Sequence, residues 1–125
     1  MESERESTAG SFRDLIVWRK AVELSLVIYK LTASFPNAEQ FGLTNQMRRA
    51  SVSIASNIAE GYGRSTKGEY RLFLGHARGS NCELQTQLVI AGGLGLVTDP
   101  KRRAAESLSE EIGKILVVLM RKLKA

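Results

Sequence analysis

Cysteine and histidine are almost absent from this 125-residue sequence, which holds one of each. The single cysteine, Cys82, excludes an intrachain disulfide, and such sparing use is typical of a reducing compartment such as the cytoplasm. The single histidine, His76, excludes a histidine-based catalytic triad and a multi-histidine metal site within one chain. We therefore expect no metal, no cofactor and no enzymatic activity.

Long apolar runs are also lacking. No segment approaches the ~20 uninterrupted apolar residues that a membrane-spanning helix needs, so no membrane span is expected. The chain opens on charged residues, so no signal peptide is predicted. Proline is rare, with two residues, and the hydrophobic share of 43% is typical of a globular helical domain.

The positive charge is unevenly distributed along the chain. The net charge is +5 at pH 7, whereas residues 1–11 carry more acidic than basic side chains. We predict a disordered leader over residues 1–11 and a single domain over residues 12–125. The basic balance of that domain suits a nucleic acid or another polyanion, and it equally suits an ordinary soluble protein.

Four segments repeat apolar residues at helical spacing. Pro36 ends the first segment, and Gly61 with Gly63 is expected to end the second in a left-handed cap. Thr66 caps the third, and Asp99 caps the fourth. Short connections imply antiparallel neighbours, so the predicted fold class is all-α, an up-down-up-down four-helix bundle. The predicted helices span residues of about 14–33, 43–62, 66–92 and 99–123.

Two predicted apolar seams carry consequences for packing. The face of the first helix is wider than a surface helix needs, which favours self-association. Its leading strip consists of Leu15, Trp18, Val22, Ser25 and Tyr29, and the second strip beside it consists of Val17, Leu24, Val27 or Ile28, and Leu31. The seam of the fourth helix consists of Leu108, Ile112, Ile115, Leu119 and Leu123.

The second and third helices form a hairpin that suggests a close contact. Gly75 and Gly79 share one face of the third helix, and a coarse register sets them opposite Ala50 and Ser53. Small residues on both sides predict a close backbone crossing, and an exposed face is the alternative. The hairpin also predicts a structural polar network that aligns the helices, with solvated surface charge as the alternative. Its members are Asn57, Glu60, Arg78 and Glu83.

Basic residues fall into three groups that are candidates for binding a nucleic acid. Ordinary solvated charge is the alternative interpretation. Exposed aromatic residues are few, so binding would be directed at the backbone, tolerant of sequence and strongly salt-dependent. The groups are Arg48 with Arg49, Arg64 with Lys67 and Arg71, and Lys101 with Arg102 and Arg103.

Two segments, Gln46–Gly61 (QMRRASVSIASNIAEG) and Ala77–Leu84 (ARGSNCEL), carry a family resemblance. The sequence resembles the bacterial four-helix-bundle family named for proteins encoded in intervening sequences of 23S ribosomal RNA genes. It is similar, more distantly, to the accessory variability protein of diversity-generating retroelements. The resemblance covers about residues 12–124. The more distant similarity implies a homopentameric barrel with a basic surface able to bind RNA or DNA.

The sequence thus supports two hypotheses. The first is a non-catalytic, self-assembling helical bundle that binds RNA or DNA through basic patches. The second is a protein-interaction adaptor or scaffold with no nucleic-acid role.

Overall fold

The structure is a computed structural model that describes residues 10–124. Four α-helices dominate it, and a one-turn 3-10 helix precedes each of the first two. The α-helices are α1 (Ile16–Thr32), α2 (Leu43–Tyr62), α3 (Lys67–Gly93) and α4 (Asp99–Lys122), and the 3-10 helices are Phe12–Asp14 and Asn37–Glu39. The predicted leader falls mainly on residues 1–9, which lie outside the described residues, so it stays a prediction.

The four helices pack in a closed ring. Helix α1 packs on α2, α2 on α3, α3 on α4, and α4 back on α1. The predicted all-α, up-down bundle is therefore confirmed. Each adjacent pair of helices leaves an outer groove, and these grooves differ in their chemistry.

The centre of the ring is aliphatic. Each large apolar side chain removed from water stabilises the fold by about 1.5–3 kcal/mol before the entropy cost of ordering it. All four helices contribute to this core. The largest fully buried apolar side chains are Leu24, Ile28, Met47, Ile54, Ile58, Leu74, Leu84, Leu88, Ile112 and Leu116.

Helix α1 turns the second strip of its predicted broad face toward the core. Val17, Leu24 and Ile28 of that strip are fully buried, whereas Trp18 and Val22 of the leading strip are only half-buried. Both strips are apolar, so periodicity predicted one broad face and did not distinguish the core strip from the outer one. The leading strip contributes to the outer groove between α1 and α2.

Helix α4 also buries a residue that the apolar pattern did not select. Ser109 is fully buried. Its hydroxyl is satisfied there, because it donates to Asn81 Oδ1 at 2.7 Å and accepts from Gln85 Nε2 at 2.9 Å. Asn81 Nδ2 in turn donates to the Ser109 carbonyl at 2.9 Å. A buried polar group with its hydrogen bonds satisfied costs little. The half-buried members of the predicted seam are Leu108, Ile115, Leu119 and Leu123.

The residues at the helix ends explain why the observed helix boundaries differ from the predicted ones. Ser11 caps the first 3-10 helix, and α1 begins only after Leu15, whose backbone is extended. Gly63 has φ −80°, so the predicted left-handed cap of α2 is absent. The Thr66 cap of α3 is confirmed, because Thr66 Oγ1 accepts the Glu69 backbone N–H at 3.1 Å.

Candidate functional site

The predicted polar network does not form as one unit. Asn57 Nδ2 donates to the Ser53 carbonyl at 2.8 Å and lies 2.9 Å from Ser53 Oγ. The Ser53 hydroxyl lies 2.9 Å from the Ser80 hydroxyl across the α2–α3 interface. The real register thus pairs Ser53 with Ser80 rather than with Gly75, a shift of more than one helical turn.

The charged members of the predicted network lie apart from one another. Glu60 pairs with Arg64, one turn away on the outside of the bundle, at 2.6 Å. Arg78 lines the α3–α4 groove, whereas Glu83 lines the α2–α3 groove. Arg49 lines that same groove, as the sequence suggested, but forms no ion pair with Glu83 among the described residues.

The close helix contact lies at a glycine that the sequence analysis assigned only to a helix end. A Cβ on Gly61 would stand 2.8 Å from Phe73 Cβ and 3.1 Å from the Tyr70 carbonyl oxygen. The predicted crossing was wrong at Gly79, where nothing lies within 4 Å, and Gly75 faces Met120 of α4 rather than α2. The signal for Gly61 was its place in the motif-bearing hairpin, two residues before the turn that begins at Gly63.

Several predicted binding cations are committed to contacts within the chain. Arg48 Nε donates to Thr32 Oγ1 at 2.9 Å, and its guanidinium lies 4.6 Å above the Tyr29 ring. Arg48 therefore stabilises the C-terminal end of α1, where a cation complements the helix dipole. Arg71 Nε donates to the Met120 carbonyl at 3.1 Å, so Arg71 satisfies a backbone acceptor at the end of α4.

Arg64 and the α4 cluster are partly neutralised as well. Besides its ion pair, Arg64 lies 4.6 Å above the Phe73 ring. Arg102 lies 3.4 Å from Asp99 and 3.6 Å from Glu106, and its Cδ is 2.9 Å from where a Cβ on Gly92 would stand. Asp99 also pairs with Arg103 at 3.8 Å. An internal carboxylate thus occupies the helix start where the sequence suggested an external anion.

The remaining predicted cations are free but dispersed. The side chains of Arg49, Lys67 and Lys101 are exposed and have no hydrogen-bond or ion-pair partner within residues 10–124. They lie on three different parts of the bundle: beside the α2–α3 groove, at the start of α3 and beside the α1–α4 groove. The fold therefore does not gather the predicted cations into one surface.

A different set of cations does share one surface. The groove between α3 and α4 has a volume of about 640 Å³ and is rimmed by Arg78, Lys114 and Arg121. None of the three lies within ion-pairing distance of a carboxylate in the described part of the chain, although Glu110 stands at the same groove. Its apolar lining includes Val117 and Val118. Sequence reasoning missed this set because its members are distant along the chain.

The groove between α1 and α2 has the opposite character. Its volume is about 310 Å³, and no charged residue lines it. Leu26 is 59% exposed on α1 and Val52 is 42% exposed on α2, which is unusual for large aliphatic side chains on one face. The lining residues are Trp18, Val22, Ser25, Leu26, Val52, Ala55, Ser56 and Ala59.

Residues suited to catalysis are dispersed. Within residues 10–124, no three His, Cys, Asp or Glu side chains cluster in a way that could hold a metal ion. His76 is exposed, and its ring lies edge-on to Phe73. Cys82 is exposed at the α3–α4 groove. No helix in the described range is long and apolar enough to cross a membrane.

The fold and its grooves define a helical-bundle protein with candidate binding surfaces on its outer faces. The model of the 23S rRNA-intervening sequence protein family matches residues 13–118, and the chain belongs to this family. The predicted resemblance is thereby confirmed. A solved structure from Bacteroides thetaiotaomicron, described as a protein of unknown function from the S23 ribosomal protein family, superposes with a TM-score of 0.76. At 22% identity, over 84% of this chain and 98% of that one, it shows the fold alone. No curated protein matches the chain.

Proposed function

We propose that this protein is a non-catalytic helical bundle that self-assembles and binds RNA or DNA through the phosphate backbone. The observation that carries the proposal is the unpaired cationic rim of the α3–α4 groove, formed by Arg78, Lys114 and Arg121. Cations that the fold leaves without carboxylate partners are available to phosphates, and binding releases the counterions that phosphates hold. The single cysteine supports a cytoplasmic setting.

Self-assembly is supported by the α1–α2 groove. Leu26 and Val52 expose large aliphatic surface on adjacent helices, with no charged residue along the groove. A second copy would remove this surface from water at a gain of roughly 25 cal/mol per Å². The family resemblance implies five copies. A ring of any size would repeat the cationic groove and raise the local positive potential.

The two parts of the proposal have separate tests. Sedimentation at micromolar concentration is expected to give an oligomer, and a monomer would refute self-assembly. Filter binding of heterogeneous RNA is expected to show retention at low salt that weakens strongly at moderate salt. Absence of retention even at low salt would refute the nucleic-acid part.

A protein-interaction adaptor is the second candidate. The observation that favours it is the apolar lining of the α3–α4 groove, where Val118 is 47% exposed. Pull-down from a lysate treated with nuclease separates the two functions. A specific protein that stays bound after the nucleic acid is destroyed would support the adaptor, and loss of all bound protein would support the nucleic-acid function.

A further inference from the structure

We propose that the α3–α4 groove, and not the basic groups prominent in the sequence, holds the nucleic acid, and that it holds a single strand. This inference rests on the proposed nucleic-acid binding and gives it a location. The phosphates would contact Arg78, Lys114 and Arg121, and the bases and riboses would lie over the apolar floor. The groove is the largest of the outer grooves described above.

The rim has cations on both walls, with Arg78 on α3 and Lys114 and Arg121 on α4. Lys114 and Arg121 are seven residues apart on α4, which places them on one face about 10 Å apart along the axis. The hydrogen bonds between Asn81 and Ser109 fix the register of α3 against α4, and this register brings Arg78 to the level of Lys114. A backbone in the groove therefore meets cations on both sides.

The end of the groove is held in position by Arg71. Its Nε donates to the Met120 carbonyl, which directly precedes Arg121. This bond fixes the last turn of α4 against α3. Arg71 is a positioning residue in this scheme, since it is partly buried and its bond is to protein backbone.

The floor distinguishes a single strand from a duplex. Val117, Val118 and Gly113 line the groove between the cations, and no aromatic residue lines it. A single strand can place unstacked bases and riboses on an apolar surface, whereas a duplex keeps its bases stacked inside and offers mainly phosphates. Without aromatic stacking or a set of base-edge contacts, recognition should tolerate many sequences.

The same floor fits an acidic amphipathic helix less well. A helix that docks in a groove is read through several apolar anchors spaced along it. Val118 is the one large apolar side chain of this groove that is well exposed among the described residues. Three unpaired cations around one exposed valine favour a ligand whose energy comes mainly from charge.

The test compares two variants with equal loss of charge. The groove variant is Arg78→Gln with Lys114→Gln and Arg121→Gln, and the control is Lys30→Gln with Arg49→Gln and Lys101→Gln, which are exposed cations elsewhere. Anisotropy of a labelled oligouridine RNA, and of a labelled RNA duplex of equal length, gives the affinities at several salt concentrations. The affinity of the groove variant for the single strand should be at least tenfold lower than that of the unaltered protein. Its slope of log affinity against log salt should fall by about 2, since each lost contact contributes about 0.7.

The outcomes separate the location from the function. A wild-type protein that binds neither RNA at low salt overturns both proposals. Binding that the control weakens as much as the groove variant overturns the location and leaves the function standing. Equal or tighter binding of the duplex overturns the single-strand assignment. Circular dichroism melts of both variants check that each one folds.

Cys82 provides a second measurement on the unaltered sequence. It is the chain's single cysteine, and its exposed thiol lies at the groove, so a photocrosslinking maleimide attaches there alone. Crosslinking to the oligouridine, competed by unlabelled RNA, supports the location, as does loss of binding caused by the label. A labelled protein that binds the RNA with unchanged affinity and does not crosslink overturns it.

Discussion

The α1–α2 groove and the α3–α4 groove lie on opposite sides of the same ring and differ in almost every property. The first is lined without charge and exposes Leu26 and Val52. The second carries Arg78, Lys114 and Arg121 around an apolar floor. Each of these two pairs of helices thus offers a different chemistry on its outer side.

The hydrogen bonds that join α1 to α2 also differ from those that join α3 to α4. Across α1 and α2, the hydroxyls of Ser25 and Ser51 lie 3.2 Å apart, and Arg48 Nε donates to Thr32 Oγ1 at the end of α1. Across α3 and α4, three hydrogen bonds join Asn81, Gln85 and Ser109. The α3–α4 pair is thus tied by a buried polar cluster that specifies its register. A fixed register is what a groove with cations on both walls requires.

The strongest way to break this comparison is to place a charge in the apolar groove. Leu26→Glu should dissociate the assembly, with a loss of affinity between copies of 100-fold or more, because burying an unpaired carboxylate costs several kcal/mol. Sedimentation over a range of concentrations measures the loss. Val118→Glu is the matched control in the other groove and should leave the assembly intact while weakening RNA binding. The opposite pattern would exchange the roles of the two grooves.

The next largest effect is expected at the contact between α2 and α3 around Gly61. Gly61→Ala puts a methyl group against Phe73 Cβ and the Tyr70 carbonyl, neither of which can swing away. We expect a loss of about 3 kcal/mol of unfolding free energy from this overpacking. Gly79→Ala meets nothing within 4 Å and should gain about 0.5–1 kcal/mol from helix propensity.

Urea denaturation at one protein concentration measures both glycine variants, since the proposed assembly would make stability depend on concentration. Equal effects of the two substitutions would show that the α2–α3 contact at Gly61 is looser than the geometry requires.

The fold could be predicted from the sequence because its signals are local. The capping box at Thr66 and Glu69 and the proline at the start of α4 act within one turn of where they stand. The register of the hairpin could not be predicted, because an error of a few residues at the turn moves every opposite pair. Gly75 and Gly79 were assigned to the wrong neighbour for this reason.

The proposed binding surface could not be predicted because charge in a sequence does not show which contacts a side chain makes. Arg48 and Arg71 satisfy the ends of α1 and α4, which are distant from them in the chain. Arg102 is held by carboxylates of its own helix. Lys114 and Arg121 look like ordinary exposed positions until α3 places Arg78 across from them.

A smaller effect is expected from the buried polar cluster that distinguishes the α3–α4 pair. Asn81 is 2% exposed, so Asn81→Ala leaves the buried Ser109 carbonyl without its side-chain donor and should cost about 2 kcal/mol. Ser25→Ala should cost only about 0.5 kcal/mol, because the Ser51 hydroxyl keeps its bond to the Arg48 carbonyl at 2.9 Å. Urea denaturation measures both costs. A larger loss for Ser25 would mean that α1 and α2 are the pair with the more demanding register.

The smallest expected effect is a change in stability at alkaline pH, and it arises at the α2–α3 contact beside Gly61. Burial raises the pKa of the Tyr70 phenol above its ordinary value of 10.0, and the neighbouring Tyr62, whose ring centre lies 5.8 Å away, raises it further. Because the unfolded chain ionises Tyr70 first, its contribution to stability is complete below pH 10 and is lost as the pH rises through the higher pKa of the folded protein. Tyr70→Phe should therefore reduce the loss of stability above pH 10, whereas Tyr29→Phe, on exposed α1 surface, is the control. Urea midpoints at pH 8 and above pH 10 measure the difference. Parallel losses in the two variants would show that ionisation of Tyr70 does not lower the stability of the folded protein.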